Sequence, residues 1–395
     1  MLIFYRCVLA GAWCAFFSLP TGGKDVRIDC YRLLAPEAEH DIEQASGLHY
    51  GRLGDRVGLW MVCDRNGGRS AGKMYYFSAG KLAHSDSGSN ITADEVFLIQ
   101  PPDDWDGFAR EYADAGEVLL AELYRQIMAT HKGADGPKLD LEAVTIAPSP
   151  EPPHEPRVFV AVEQPYSTVL ELALSNRKEG AVARLVGVYA YDCIDEEQGR
   201  DFNDGLEGLA PAGGPGELYW AEEGTCSHTS EAKPQLMFRN PRLGRARLVK
   251  GRMVVDRVAS EALTAAVRAQ RQGAMQTLNA LAMTPDGRLL AVDRNGGWIL
   301  RIDPRTSVVT RWLNLYDIQG HNLREILADF PAPRRMPYIS IEGVAVDRAG
   351  DLWLVDDPAM PENFRASCLI RIRGLNVYGE GGHGPSSRPD TTPYP

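Results

Sequence analysis

Residues Asp204–Ala210 read DGLEGLA. A glutamate stands inside what is otherwise a short apolar strand, where a buried carboxylate is costly unless it is paired. The pattern returns in DLEAVTI (Asp140–Ile146) and SIEGVAV (Ser340–Val346). It returns with other polar residues in SGLHY, from Ser46, and in LNALAMT, where Asn279 is the polar member. An exception repeated five times argues for a repeated architecture.

Each of these stretches is followed by a second apolar run ending in polar residues: GLWMVCDRNGG, VFVAVEQPYS, ELYWAEEGT, LLAVDRNGG and LWLVDDPA. Turns such as TPDGR (Thr284–Arg288) and DRAGD (Asp347–Asp351) join the pairs, and their Asp-Gly and Ala-Gly steps favour hairpins. A third strand follows in KMYYFSAG, TVLELAL, PQLMFRN, WILRID and CLIRIRG. The polar residues Ser46, Glu142, Glu207, Asn279 and Glu342 are separated by 96, 65, 72 and 63 residues. The long first interval holds a segment, 104–132, whose Phe108, Tyr112, Leu119, Leu120, Leu123 and Ile127 recur at helical spacing. A second helical insertion is expected at 260–275. The reading is an all-β chain folded as a β-propeller of five blades, or six if Asp94–Gly136 holds a degenerate blade. A sandwich would give no reason for the same polar site in every unit.

A propeller must close its ring. VRIDCYRLL (Val26–Leu34) is expected to complete the last blade beside CLIRIRG (Cys368–Gly374), which hides two strand edges. Cys30 and Cys368 then lie on neighbouring strands, and a disulfide between them depends on the register.

The chain has 395 residues and a net charge of −11. That balance argues against nucleic acid as a partner and suits a protein that attracts cations. Residues 1–23 read as a secretory leader, a basic start at Arg6 followed by an apolar run too short to span a bilayer. An uncleaved anchor and a lipidated Cys14 are the alternatives. The propeller domain is then 26–375 and a disordered Gly- and Pro-rich tail 376–395. No other segment is apolar and long enough to cross a membrane, so the expectation is an exported, monomeric protein of the periplasm or exterior. Of seven cysteines, Cys7 and Cys14 lie in the leader; the remaining five are too widely spaced for a disulfide scaffold or a CxxC zinc site.

The first strand of each propeller blade lines the central channel. Ser46, Glu142, Glu207, Asn279 and Glu342 therefore converge on one axis. Carboxylates held together without a cation repel one another. Glu142, Glu207, Asn279 and Glu342 suit calcium, which takes six to eight oxygen ligands. Zinc lacks its His or Cys ligands here. The second strand runs back to the same rim and brings Asp64, Arg65, Glu163, Glu222, Glu223, Asp293, Arg294, Asp356 and Asp357 to the channel mouth. His49, just past Ser46, is a channel candidate. The tetrapeptide Asp-Arg-Asn-Gly occurs twice, at Asp64–Gly67 and Asp293–Gly296, and its arginine is suited to a neighbouring carboxylate or an anionic ligand. No GxSxG elbow, P-loop or HExxH motif occurs.

The units SGLHY…LWMVCDRNG, DLEAVTI…VFVAVEQ, DGLEGLA…LYWAEE and SIEGVAV…LWLVDD resemble the phytase esterase-like β-propeller family, related to the SdiA-regulated periplasmic proteins, over about Ile28–Arg373. The resemblance implies an exported propeller with calcium in or near its channel. Two functions follow as expectations. The first is a calcium-dependent hydrolase of an ester, lactone or phosphoester, with Glu163 or Glu222 as catalytic base; the site would resemble those of gluconolactonase and paraoxonase. The second is a non-enzymatic, calcium-stabilised binding module for a small-molecule ligand.

Overall fold

Short alternating strands joined by tight turns fold here into successive antiparallel meanders. The computed structural model describes residues 25–36, 40–66, 68–132, 138–163, 167–177, 180–191, 205–224, 241–270, 276–331, 339–357 and 366–378. The leader, Asp204, the cysteines at 7, 14, 193 and 226, and residues 379–395 lie outside them.

The described chain begins with β1 (Arg27–Leu34), which waits for the far end of the sequence. The first meander is β2 (Ala45–Leu53), β3 (Arg56–Cys63) and β4 (Lys73–Ser78). Helix α1 (Ala79–Ala83) and the short β5 (Asn90–Thr92) intervene before β6 (Glu95–Gln100) completes the sheet against β4. Helices α2 (Trp105–Glu111) and α3 (Glu117–Lys132) follow. The second meander is β7 (Leu141–Pro148), β8 (Pro156–Val162), β9 (Thr168–Arg177) and β10 (Gly180–Tyr191). The third is β11 (Leu206–Pro211), β12 (Glu217–Glu222), β13 (Arg242–Val249) and β14 (Gly251–Asp256), followed by α4 (Arg257–Arg268). The fourth is β15 (Leu278–Met283), β16 (Leu289–Asp293), β17 (Trp298–Asp303) and β18 (Val308–Asn314), followed by α5 (Leu323–Ala328). The last is β19 (Ile341–Val346), β20 (Leu352–Asp356) and β21 (Cys368–Arg373), with β1 as its fourth strand and β5 paired in parallel outside β1.

The first strands touch in the cyclic order β2, β7, β11, β15, β19 and back to β2. This closed ring of radially arranged sheets is a β-propeller. On the outside, β10 pairs in parallel with both β6 and β14, and so ties three successive sheets together. The outer edges of β6 and β14 are thereby paired. The cores lie between sheets, and Trp60, Trp220 and Trp353 from three of the second strands are among their largest fully buried side chains.

The ring closes through β1 as expected. Asp29, 1% exposed, accepts Arg27 Nε at 2.8 Å and also pairs with Arg373 of β21. The register decides the disulfide left open by the sequence: Cys30 and Cys368 are free. The register sets Cys30 opposite Ile370 and Cys368 opposite Arg32. The two cysteines are therefore diagonal neighbours, a separation at which Cβ atoms stand too far apart for an S–S bond.

The first insertion is α2 and α3. Asp104 caps α2 by accepting the Gly107 amide at 2.9 Å, and Leu120, Leu123 and Ile127 of α3 are buried. Within 94–132 lie β6 and these two helices. The second insertion starts earlier than its periodicity suggests, because Asp256 caps α4 at the Ala259 amide. PQLMFRN (234–240) lies outside the described residues, and β13 supplies the third strand of its sheet instead. The packed chain also runs past 375: Val377 is fully buried, and Asn376 O accepts Arg301 Nη2 at 2.9 Å.

Candidate functional site

The polar residue of each first strand occupies a bulge. Pairing passes from Ala45↔Cys63 to Gly47↔Val62, which skips Ser46. It passes from Leu141↔Val162 to Ala143↔Ala161 around Glu142, and from Leu206↔Glu222 to Gly208↔Ala221 around Glu207. The same step skips Asn279 between Leu278↔Asp293 and Ala280↔Val292, and Glu342 between Ile341↔Asp356 and Gly343↔Val355. A bulge inserts one extra residue and re-aims its side chain. An acidic residue thereby sits in an apolar strand without its side chain entering the apolar core.

A second set of residues follows each second strand: Asp64, Glu163, Glu223, Arg294 and Asp357. Four of these donate their backbone N–H to the carbonyl two residues before the bulged position: Asp64 to Gln44 (3.0 Å), Glu163 to Asp140 (3.0 Å), Glu223 to Gly205 (3.4 Å) and Asp357 to Ser340 (2.8 Å). The rim side chains then reach across to the next sheet. Glu163 Oε1 accepts the Gly205 amide at 3.0 Å. Glu223 Oε1 accepts Asn279 Nδ2 at 3.0 Å. Arg294 pairs with Glu342 ahead of it and also with Glu223 behind it. Asp64 meets Asp140 and Glu142, and the three offer oxygens that all lie within 4.8 Å of one another.

The two rings carry far more negative than positive charge. Burial raises the Glu142 and Glu207 carboxyls well above their usual range, and neighbouring carboxylates raise them further. Glu163 is pushed up to about 8, first by burial and then by Asp140, with the Gly205 amide opposing. Asp64 is pushed up to about 7, again by burial and then by Asp140. Burial and the adjacent Glu342 raise Asp357. Arg294 is held firmly charged, because Glu223, Glu342 and Glu207 outweigh its own desolvation. Two buried oxygens of these rings have no hydrogen-bond partner: Asn279 Oδ1, on a fully buried residue, and Asp357 Oδ1, on a residue 6% exposed.

The expected ligands Glu142, Glu207, Asn279 and Glu342 stand at the bulges of four successive first strands, but their partners differ. Glu342 is held by Arg294 and by Ser340 Oγ at 2.9 Å, and Asn279 is held by Glu223. Glu142 faces Asp64 and Asp140 instead. Asp140 is the residue the repeat alignment passes over, although it opens DLEAVTI; a carboxylate two residues before a bulged glutamate is the signal that marks it. Arg65 belongs to it, through Nε to Asp140 Oδ2 at 3.4 Å and the backbone amide to Oδ1 at 3.2 Å.

The other expected mouth residues make different contacts. Glu222 ends β12 and pairs with Arg242, its cross-strand neighbour, while the adjacent Glu223 turns into the ring. Asp293 and Asp356 tie down the start of their own first strands: Asp293 Oδ1 accepts the Thr277 amide at 3.3 Å and Asp356 Oδ1 the Ser340 amide at 3.0 Å. The two Asp-Arg-Asn-Gly segments are out of step. Asp293 ends a strand where Cys63 ends its own, so Arg294 is the counterpart of Asp64. Ser46 is 4% exposed and donates to Gln44 O at 3.4 Å. His49 lies further along β2, with Nδ1 3.4 Å from Thr145 Oγ1, and surrounding protein lowers its pKa to about 4.

The oxygen-only donor set fits a hard cation. Oxygens bound to one calcium ion at about 2.3–2.6 Å lie no more than about 5 Å apart, as those of Asp64, Asp140 and Glu142 do. No histidine or cysteine joins that group among the described residues.

A family model described as phytase-like, "Esterase-like activity of phytase", matches residues 41–358. No curated protein matches the sequence. Among solved structures, a luciferin-regenerating enzyme is similar at 11% identity and TM-score 0.38, over 89% of this chain and 96% of that one. The PQQ-bound aldose sugar dehydrogenase of Streptomyces coelicolor is similar at 10% identity and TM-score 0.39, over 88% and 98%. The virginiamycin B lyase of Staphylococcus aureus is similar at 9% identity and TM-score 0.33, over 88% and 99%.

Proposed function

The chain belongs to the phytase-like, esterase-like family, and on that premise we propose that it is an exported calcium-binding propeller that hydrolyses an ester, lactone or phosphoester at its channel mouth. The observation that carries this reading is the Asp64–Asp140–Glu142 group, three carboxylates within 4.8 Å of one another. Those residues would hold the ion, with Glu207 and Glu163 beside them. Bound calcium would supply polarisation of the substrate's carbonyl or phosphoryl oxygen. Glu163, oriented by the Gly205 amide, would take the proton of the attacking water and return it to the leaving oxygen. Its raised pKa suits a group that both accepts and gives a proton near neutrality. The described residues contain no helix long and apolar enough to cross a membrane, and we take the protein to act as a monomer on a small-molecule substrate.

The enclosure of Glu142 and Glu207, 8% and 7% exposed, supports a second reading, a binding module in which the ion only stiffens the channel. One set of measurements separates the two. Protein prepared without chelator is assayed for metal, then melted with and without EDTA, and screened on aryl esters, lactones and phosphate esters with and without calcium. Hydrolysis that needs calcium and is lost in the Glu142→Gln, Glu207→Gln double variant supports the enzyme. A calcium-dependent Tm without turnover supports the module. No bound metal and no EDTA effect would sink both.

A further inference from the structure

Arg294 is the exception in the outer ring. The corresponding residue is an acid in every other unit: Asp64, Glu163, Glu223 and Asp357. Its guanidinium reaches Glu223 of the preceding sheet and Glu342 of the following one, and Glu207 adds to the field it answers. Asn279 lies in the same half of the ring, bonded to Glu223 through Nδ2, with Oδ1 unpartnered. Asp357, whose Oδ1 is also unpartnered, interacts electrostatically with Glu342. Two carboxylates, an amide oxygen with no donor and a further orphaned carboxylate oxygen are the donor types of a hard-cation site. A guanidinium supplies the charge there, in a planar fork that holds two carboxylates at once.

We infer that Arg294 is a built-in cation occupying a second, latent calcium position framed by Glu223, Asn279 and Glu342, and that it confines the exchangeable ion to the Asp64–Asp140–Glu142 half of the ring. The second clause rests on the function proposed above; the first does not. Arg294 is thus a positioning residue. Removing one partner of a buried ion pair leaves the others uncompensated. Glu223, Glu342 and Glu207 must then recruit either a metal ion or protons.

Bound calcium per chain, measured by elemental analysis after dialysis against calcium, distinguishes these outcomes. Arg294→Ala is expected to hold about one equivalent more than the parent protein, since each latent site takes one ion. Arg294→Lys, which keeps the charge, is expected to match the parent. In the Arg294→Ala, Glu223→Gln double variant the extra equivalent is lost. With Arg294 intact, Glu223→Gln is expected to leave the calcium content unchanged, because an arginine and not an ion holds Glu223. Folded Arg294→Ala with unchanged calcium means that protons neutralise the ring and overturns the inference. So does loss of calcium in Glu223→Gln, a milder variant that decides the matter if Arg294→Ala does not fold. A parent protein without calcium refutes the proposed function, whereas a gain on going to Arg294→Ala still supports the latent site.

Discussion

At the scale of single residues, the chain stores carboxylic acids where water is scarce. Glu163 and Asp64, pushed up to about 8 and about 7, are the groups that give this a pH signature. In the metal-free protein the folded state keeps their protons at pH values where the unfolded state has released them. Stability therefore falls as pH rises through that range. His49, lowered to about 4, works in the opposite sense between about 4 and 6.5, so the clean window is pH 6.5 to 8. Thermal melts with chelator should show Tm dropping across that window, and saturating calcium should flatten or reverse the drop. A Tm that rises toward pH 8 without metal would contradict the electrostatic account. Glu207→Gln replaces a carboxyl whose ionisation burial and neighbouring carboxylates oppose with a neutral group of the same shape. It should raise the metal-free Tm and shrink the calcium-induced gain, as paired melts would read.

At the scale of elements, the bulge and the residue after it form one device. Gly47, Gly208 and Gly343 follow bulged residues and let adjacent first strands approach closely. A Cβ on Gly343 would lie 2.8 Å from Leu48 Cβ and 2.7 Å from Val355 Cγ1, and one on Gly47 would lie 2.7 Å from Ala143 Cα. Gly343→Ala should therefore destabilise the protein by about 1–3 kcal/mol, the usual cost of overpacking. Urea unfolding measures it, and an unchanged midpoint would refute the close approach. The recurring x-apolar-polar-small-apolar pattern is visible in the sequence. The bulge is not, because it exists only in the pairing between two strands.

At the scale of the whole molecule, closure depends on a strand borrowed from the start of the chain. β1 covers the edge of β21 with six paired residues, and Asp29 ties Arg27 and Arg373 together. Deleting residues 25–34 should expose that edge. The expected result is loss of a single cooperative melt together with association through β21, seen by calorimetry and size-exclusion chromatography. A monomeric, cooperatively melting truncation would show that the ring closes without β1.

The all-β class, the radial repetition, the two helical insertions and the closing strand could all be read from residue periodicity. Each is a local pattern or a count. So could the equivalence of Glu142, Glu207, Asn279 and Glu342, each of which sits at the bulge of its first strand. The division of labour within the ring was decided only by the tertiary structure. It depends on which rim residue reaches which neighbouring strand, a contact between sheets that no spacing encodes. That is why Asp140 joins Glu142, why Glu223 rather than Glu222 faces the ring, and why the repeated Asp-Arg-Asn-Gly segments are one residue out of step. The glutamate of DGLEGLA is settled the same way: a bulge carries Glu207 out of the apolar core into a crowd of like charges, and only its neighbours across the sheet boundaries set what that charge can hold.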